Sequence, residues 1–214
     1  MSQPTLLFDL DGTLVDSEPG ILNSIRYVFT AMAQPLPDPA SLRAWIGPPM
    51  RDSFRSVFPE EDRLAQALAL YRQRYDSVGW TELSVYPGIA ELITELHGAG
   101  RRLAVVTSKN ERSARQILAN LPFGACFQQI VGASDDGTRR FKPELIAEAL
   151  RRLSVQASDC VMIGDRRMDI EGAVHHHMRS IGVLWGYGDR QELIEAGADE
   201  VVASPEALRA LLLA

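Results

Sequence analysis

Two aspartates one residue apart, Asp9 and Asp11, close the apolar run in TLLFDLDGTLVDSE, and Gly12 and Thr13 follow at once. Residues i and i+2 of a strand share a face, so this spacing predicts two carboxylates projecting together from a strand end. Further along, VVTSK supplies Thr107, Ser108 and Lys109, RRFKPE supplies Lys142, and VMIGD supplies Asp165, with Asp169 four residues on. A helix starting after Asp165 would set Asp165 and Asp169 on one face. Four carboxylates sharing a small volume repel one another unless cations compensate them. Lys142 offsets part of that charge and a divalent cation offsets more. Hard oxygen ligands with room for water select Mg²⁺, which favours substrates bearing phosphate oxygens. In that setting one aspartate can attack phosphorus and form an aspartyl-phosphate. A carboxylate two residues on can protonate the leaving group and later deprotonate the attacking water. Thr107, Lys142 and backbone N–H groups would hold the other phosphoryl oxygens. The set predicts phosphoryl transfer.

The elements that must position these groups follow from the hydrophobic pattern. A first strand is expected over about Thr5–Leu10. Ile21, Leu22, Ile25, Val28, Phe29 and Met32 then recur at helical spacing. QPLPDP (34–39) ends that helix, because proline cannot continue it. Leu64, Ala67, Leu68, Tyr71 and Tyr75 mark another. From Val85 the pattern alternates: a helix face on Ile89, Leu92, Ile93 and Leu96, the strand RRLAVVTS, and a helix on Ala114, Ile117, Leu118 and Leu121. There follow a strand near Phe127–Val131, a helix near Pro143–Leu153, the strand CVMIGD, a short helix from about Met168, the strand RSIGVLW, and a last strand and helix. LAVV, CVMI and IGVL are apolar on both faces, as parallel strands covered by helices on both sides should be. The expected fold class is α/β: a doubly wound, Rossmann-like parallel sheet with an all-helical domain inserted after the first strand. Residues 1–16 and 86–214 would form the core and residues 17–85 the insert. Ligands of such sheets bind beyond the carboxyl ends of the strands, where all the residues above are delivered.

Composition narrows the function. The 214 residues are 46% hydrophobic and 23% charged with a net charge of −6, which describes an ordinary globular protein. The basic residues form no long run, so no nucleic-acid polymer is expected as partner. No apolar run approaches the ~20 residues needed to span a bilayer, and the first residues do not read as a secretory signal, so no membrane is expected either. The two cysteines, Cys126 and Cys160, form no CxxC pattern and suit a reducing cytoplasm. Neither a monomer nor a dimer follows from the residues.

DLDGTLVDS, VVTSK, FKPE and GDRRMD, in this order and with these gaps, resemble the four signature motifs of the haloacid dehalogenase superfamily, and the resemblance spans essentially the whole chain. It implies that Asp9 is the nucleophile and Asp11 the general acid/base, whose main-chain carbonyl also serves Mg²⁺. It implies that Thr107 binds the phosphoryl group and that Lys142 steadies nucleophile and phosphate. Asp165 would ligate the metal and Asp169 support it, so the metal group is Asp9, Asp11, Asp165 and Asp169. The phosphate group is Thr107, Ser108, Lys142 and Gly12, with Thr107 favoured over Ser108 as the gripping hydroxyl. Within the superfamily, WIGPPMRDSF, VYPGI, DGTRRFK (136–142) and SIGVLWGYG are similar to phosphoglycolate phosphatase-like and 5′-nucleotidase-like enzymes. The implied substrate is a small phosphorylated metabolite, phosphoglycolate or a nucleoside monophosphate. A β-phosphoglucomutase-type phosphomutase shares the catalytic aspartates, and a metal-free dehalogenase would not need Asp11. A phospho-acceptor signalling module would not need the full catalytic set.

Two positions depart from the family pattern. Leu145 stands where many relatives have a second proline, and Arg166 where many have Ser or Thr. Gly47, Pro48 and Arg51 are either a plain turn of the helical domain or a substrate-specificity loop supplying a donor to an anionic leaving group. Asp165 has an alternative role as helix N-cap. His175, His176 and His177 cannot converge on one ion, since neighbours on a helix point ~100° apart. GVLWGYG reads as a loop packing Trp185 on the core rather than as a wall of the site.

Overall fold

A computed structural model of the chain describes residues 3–213. The chain forms two compact units: Asp16–Ser84, and the residues before Asp16 together with those from Val85 onward. The first elements are β1 (Thr5–Phe8), β2 (Val15–Asp16), α1 (Glu18–Ala31), α2 (Pro39–Arg43), α3 (Met50–Arg55), α4 (Glu61–Ser77) and β3 (Ser84–Val85). Then come α5 (Ile89–Gly98), β4 (Leu103–Asn110), α6 (Glu111–Ala119), β5 (Gln129–Ala133), α7 (Lys142–Leu153) and β6 (Cys160–Gly164). The chain continues through α8 (Arg167–His175), β7 (Arg179–Val183), α9 (Arg190–Glu195), β8 (Glu200–Val202) and α10 (Pro205–Leu213).

Six strands pair in parallel in the order β5-β4-β1-β6-β7-β8. The chain runs outward from β1 to β4 and β5, then returns past β1 to β6. This doubly wound α/β sheet therefore has its switch point at β1, where a ligand crevice is expected. Phe8 lies level with Val105 of β4 and Ile163 of β6. The next amide, Asp9 N–H, donates to the Ile163 carbonyl at 2.9 Å. The residues that follow on all three strands thus reach one sheet edge.

The central strands are buried on both faces, as their continuous apolar runs require. Leu7, Ala104, Val106, Val131 and Met162 pack with Leu145, Ile146 and Ala149 of α7 and Ala173 of α8. Leu145 is thus a fully buried core residue. Leu6 and Phe8 alternate to the opposite face, where Phe8 meets Phe127 edge-on with ring centroids 6.2 Å apart. Burial of each such side chain stabilises by roughly 1.5–3 kcal/mol.

The smaller unit carries α1 to α4. Its helices meet through aromatic side chains: Phe29 lies 5.6 Å from Phe58, and Phe54 lies 5.8 Å from Tyr71, between ring centroids. Arg74 closes the unit with a two-pronged pair to Glu82 at 2.7 and 2.9 Å.

Three expectations are corrected. β1 ends at Phe8, two residues early, because Leu10 begins a tight turn: the Leu14 and Val15 amides both donate to its carbonyl, at 2.9 and 3.1 Å. β5 starts at Gln129 rather than Phe127, since Gly124–Cys126 form a 3-10 turn just before it. A helix unforeseen in the sequence, α9, follows Asp189, whose carboxylate accepts from the Glu192 amide at 2.8 Å. Among the described residues no helix is long and apolar enough to cross a membrane.

Candidate active site

Lys142 is the node of the site. It is the first residue of α7, with Pro143 behind it preset for the opening turn. Glu144 reaches back to accept from the Phe141 and Arg140 amides at 3.2 and 2.9 Å, which fixes that helix end. The Lys142 side chain is only 3% exposed. Its ammonium donates to Asp9 Oδ1 at 3.0 Å and to the Val106 carbonyl at 2.9 Å, and lies 2.5 Å from Asp169 Oδ1. Its three donors therefore tie together the end of β1, the middle of β4 and the start of α8.

Asp9, Asp165 and Asp169 converge: one carboxylate oxygen from each lies within 4.8 Å of the others, and all three residues are buried. Burial pushes the Asp9 carboxyl up to about 7; Lys142 opposes the rise, while the charges of Asp169 and Asp11 add to it. Asp165 is raised well above the usual carboxylate range by burial, then by Asp169 and Asp9. For Lys142 burial opposes the charge, but Asp169 and Asp9 outweigh it and hold the ammonium protonated. One lysine cannot balance three buried carboxylates. The donor set, all carboxylate oxygen around an unbalanced negative charge, is of the kind that hard divalent cations take.

The fourth carboxylate goes elsewhere. β1 ends at Phe8, so neither Asp9 nor Asp11 lies within the strand, and Asp11 pairs with Lys109 at 3.2 Å. Lys109 was visible in VVTSK but had no role there. It reaches Asp11 because the β4–β5 ladder slips between Val106 and Asn110, spending four residues of β4 against two of β5. Within that irregularity Thr107 is buried and its hydroxyl accepts from the Lys109 amide at 3.2 Å, while Ser108 is half-buried beside it. Gly12 has φ +83°, the left-handed region that favours glycine, and a Cβ there would stand 2.2 Å from Asp165 Oδ2.

Asp165 is wholly buried and is not the N-cap of α8; Arg166 occupies that position, and Asp169 Oδ2 accepts from its amide at 3.0 Å. Thr13 donates to Asp165 Oδ1 at 3.0 Å and the Tyr187 amide to Oδ2 at 2.8 Å. The Trp185 indole N–H donates to the Thr13 carbonyl at 3.0 Å. The loop read as plain packing thus touches the site directly, and the paired glycines of WGYG were the available signal. Arg166 turns away to Glu192 at 2.9 Å. His176 Nε2 lies 2.8 Å from the Pro143 carbonyl and joins the end of α8 to α7, and among the described residues the three-ligand group contains no histidine. In the smaller unit Gly47 has φ +110°, Pro48 is half-buried, and Arg51 pairs with Glu61 at 2.8 Å.

A doubly wound sheet whose switch point carries buried carboxylates and a buried lysine suits phosphoryl transfer, and the chain's relatives make it a phosphatase. The chain belongs to the haloacid dehalogenase-like hydrolase family, whose profile matches residues 6–183. It is 39% identical over 210 residues to the 5′-nucleotidase of Pseudomonas aeruginosa, covering 98% of this chain and 95% of that one. It is also 39% identical over 201 residues to the tyrosine-protein kinase PtkA of Mycobacterium tuberculosis, covering 94% of this chain and 68% of the relative. A phosphoglycolate phosphatase of Xanthomonas campestris is 30% identical over 207 residues, with 95% and 93% covered. The crystal structure of a predicted phosphatase from Clostridium acetobutylicum superposes with a TM-score of 0.93 at 37% identity, covering 99% of each chain.

Proposed function

We propose that this phosphatase cleaves a small phosphate monoester in two displacements, with Asp9 as nucleophile and Asp11 as general acid/base. The observation that carries the reading is the Lys142 ammonium joining Asp9 and Asp169 inside a buried cluster of carboxylates. A carboxylate oxygen of Asp9 attacks phosphorus, the ester P–O bond breaks, and Asp11 hands its proton to the departing oxygen. Water then attacks the aspartyl-phosphate, Asp11 takes the water's proton, and the bond from phosphorus to Asp9 breaks to release inorganic phosphate. Lys142 stays protonated and, with Thr107, Ser108 and Gly12, meets the phosphoryl oxygens where charge concentrates. Asp9, Asp165 and the main-chain carbonyl of Asp11 would hold Mg²⁺, with Asp169 supporting. The cation supplies Lewis-acid screening of phosphoryl charge against the attacking carboxylate.

In the helical unit, Gly47, Pro48 and Arg51 are the residues assigned to recognition of the leaving group. A guanidinium suits an anionic one, which favours phosphoglycolate. A nucleoside monophosphate is the second reading, favoured by the 39% identical 5′-nucleotidase. Cys126 and Cys160 are free thiols, in keeping with action in the cytoplasm. The test is phosphate release from phosphoglycolate, 5′-nucleotides and sugar phosphates with and without Mg²⁺, by wild type and Asp9→Asn. Release that needs Mg²⁺ and vanishes in the folded variant is expected; a variant with wild-type turnover refutes the nucleophile.

A further inference from the structure

We propose that the Trp185–Tyr187 strap is the positioning device of the metal site, and that Trp185 sets the cation affinity through Thr13 and Asp165. The inference rests on the reading of Asp165 as a metal ligand. Asp165 is 0% exposed, and its two oxygens each accept one protein hydrogen bond, from the Thr13 hydroxyl and the Tyr187 amide. A carboxylate oxygen offers about two lone-pair directions, so each keeps a direction for a ligand while the plane of the group is fixed.

The donors are themselves held. Thr13 lies 152 residues from Asp165 in sequence, in the turn after β1, and that turn is gripped from outside by the Trp185 indole at 3.0 Å on the Thr13 carbonyl. Between the two gripping residues stands Gly186, where a Cβ would lie 2.3 Å from the Gly12 carbonyl oxygen and 2.4 Å from Asp165 Oδ2. The strap therefore lies flush against both the Gly12 turn and the Asp165 carboxylate, with no room for either to rotate. A ligand oriented before the cation arrives loses less freedom on binding, which is how groups behind a ligand raise metal affinity.

The test is the dissociation constant for Mg²⁺ alone, by isothermal titration, in wild type, Trp185→Phe, Thr13→Val, Thr13→Ser and Asp165→Asn. Trp185→Phe keeps the ring and removes the N–H. It is expected to weaken Mg²⁺ binding by about tenfold. The Mg²⁺ concentration that half-activates phosphate release rises in parallel, while turnover at saturating Mg²⁺ stays within about threefold. Thr13→Val is expected to match it and Thr13→Ser, which keeps the hydroxyl, to restore binding. A purely structural role would lower the melting temperature without moving the Mg²⁺ constant, and that result in both Trp185→Phe and Thr13→Val overturns the proposal. If wild type and Asp165→Asn bind Mg²⁺ equally, the metal assignment itself fails. If only Asp165→Asn loses binding, the metal assignment stands and the strap has no part in it.

Discussion

Replacing Lys142 by methionine keeps most of the side-chain volume and removes a cation that touches Asp9, Asp169 and the Val106 carbonyl together. The residue is 3% exposed, so solvent cannot take its place. Removing one partner of a buried ion pair costs roughly 3–5 kcal/mol, because it strands the opposite charge. At about 2–4 °C per kcal/mol for a chain of this size, the melting temperature should fall by roughly 6–20 °C. The sign with pH follows from Asp9, already raised by burial to about 7 and held down only by Lys142. Without the lysine its carboxyl rises further above its unfolded value. A carboxyl raised in the folded state binds its proton there and loses stability as pH climbs from its unfolded value toward its folded one. The deficit of Lys142→Met should therefore be smaller at about pH 5, where the carboxyls take protons, and larger at about pH 8. Thermal melts with EDTA present measure both, and added Mg²⁺ should recover part of the loss. Melting temperatures within about 2 °C of wild type at both pH values would refute the claim that Lys142 balances this cluster.

Two further outcomes follow from the same site. In wild type the stabilisation gained from Mg²⁺ should grow as pH rises through about 7, since the cation competes with the proton on Asp9; melting temperatures with and without Mg²⁺ across that range check it, and Asp9→Asn should flatten the slope. Gly12→Ala must place a side chain at φ +83° and 2.2 Å from Asp165 Oδ2; the backbone alone costs about 1–3 kcal/mol, and a melting temperature equal to wild type would show that the turn has room to spare.

The sheet was legible because parallel strands covered on both faces must be apolar throughout, and LAVV and CVMI had no other reading. The site residues were legible because β1, β4 and β6 lie side by side at the switch point, so motifs far apart in sequence reach one edge. What was missed is finer. The strand-face rule does not apply at Asp9 and Asp11 because β1 stops at Phe8 and the Leu10 carbonyl accepts three turn hydrogen bonds. α9 is a six-residue, mostly polar segment held by one Asp189 cap, too short to show a period. The strap at Trp185 acts through backbone and indole N–H donors, and only the paired glycines of WGYG signalled its close approach.

The central claim is that Asp9 carries the phosphoryl group. Rapid acid quenching during turnover of a phosphorus-labelled ester, followed by mapping of the labelled peptide, tests it most directly. The account predicts label on Asp9, formed and lost as fast as phosphate appears, and none in Asp9→Asn. Label on another residue, or phosphate released by Asp9→Asn at the wild-type rate, contradicts it.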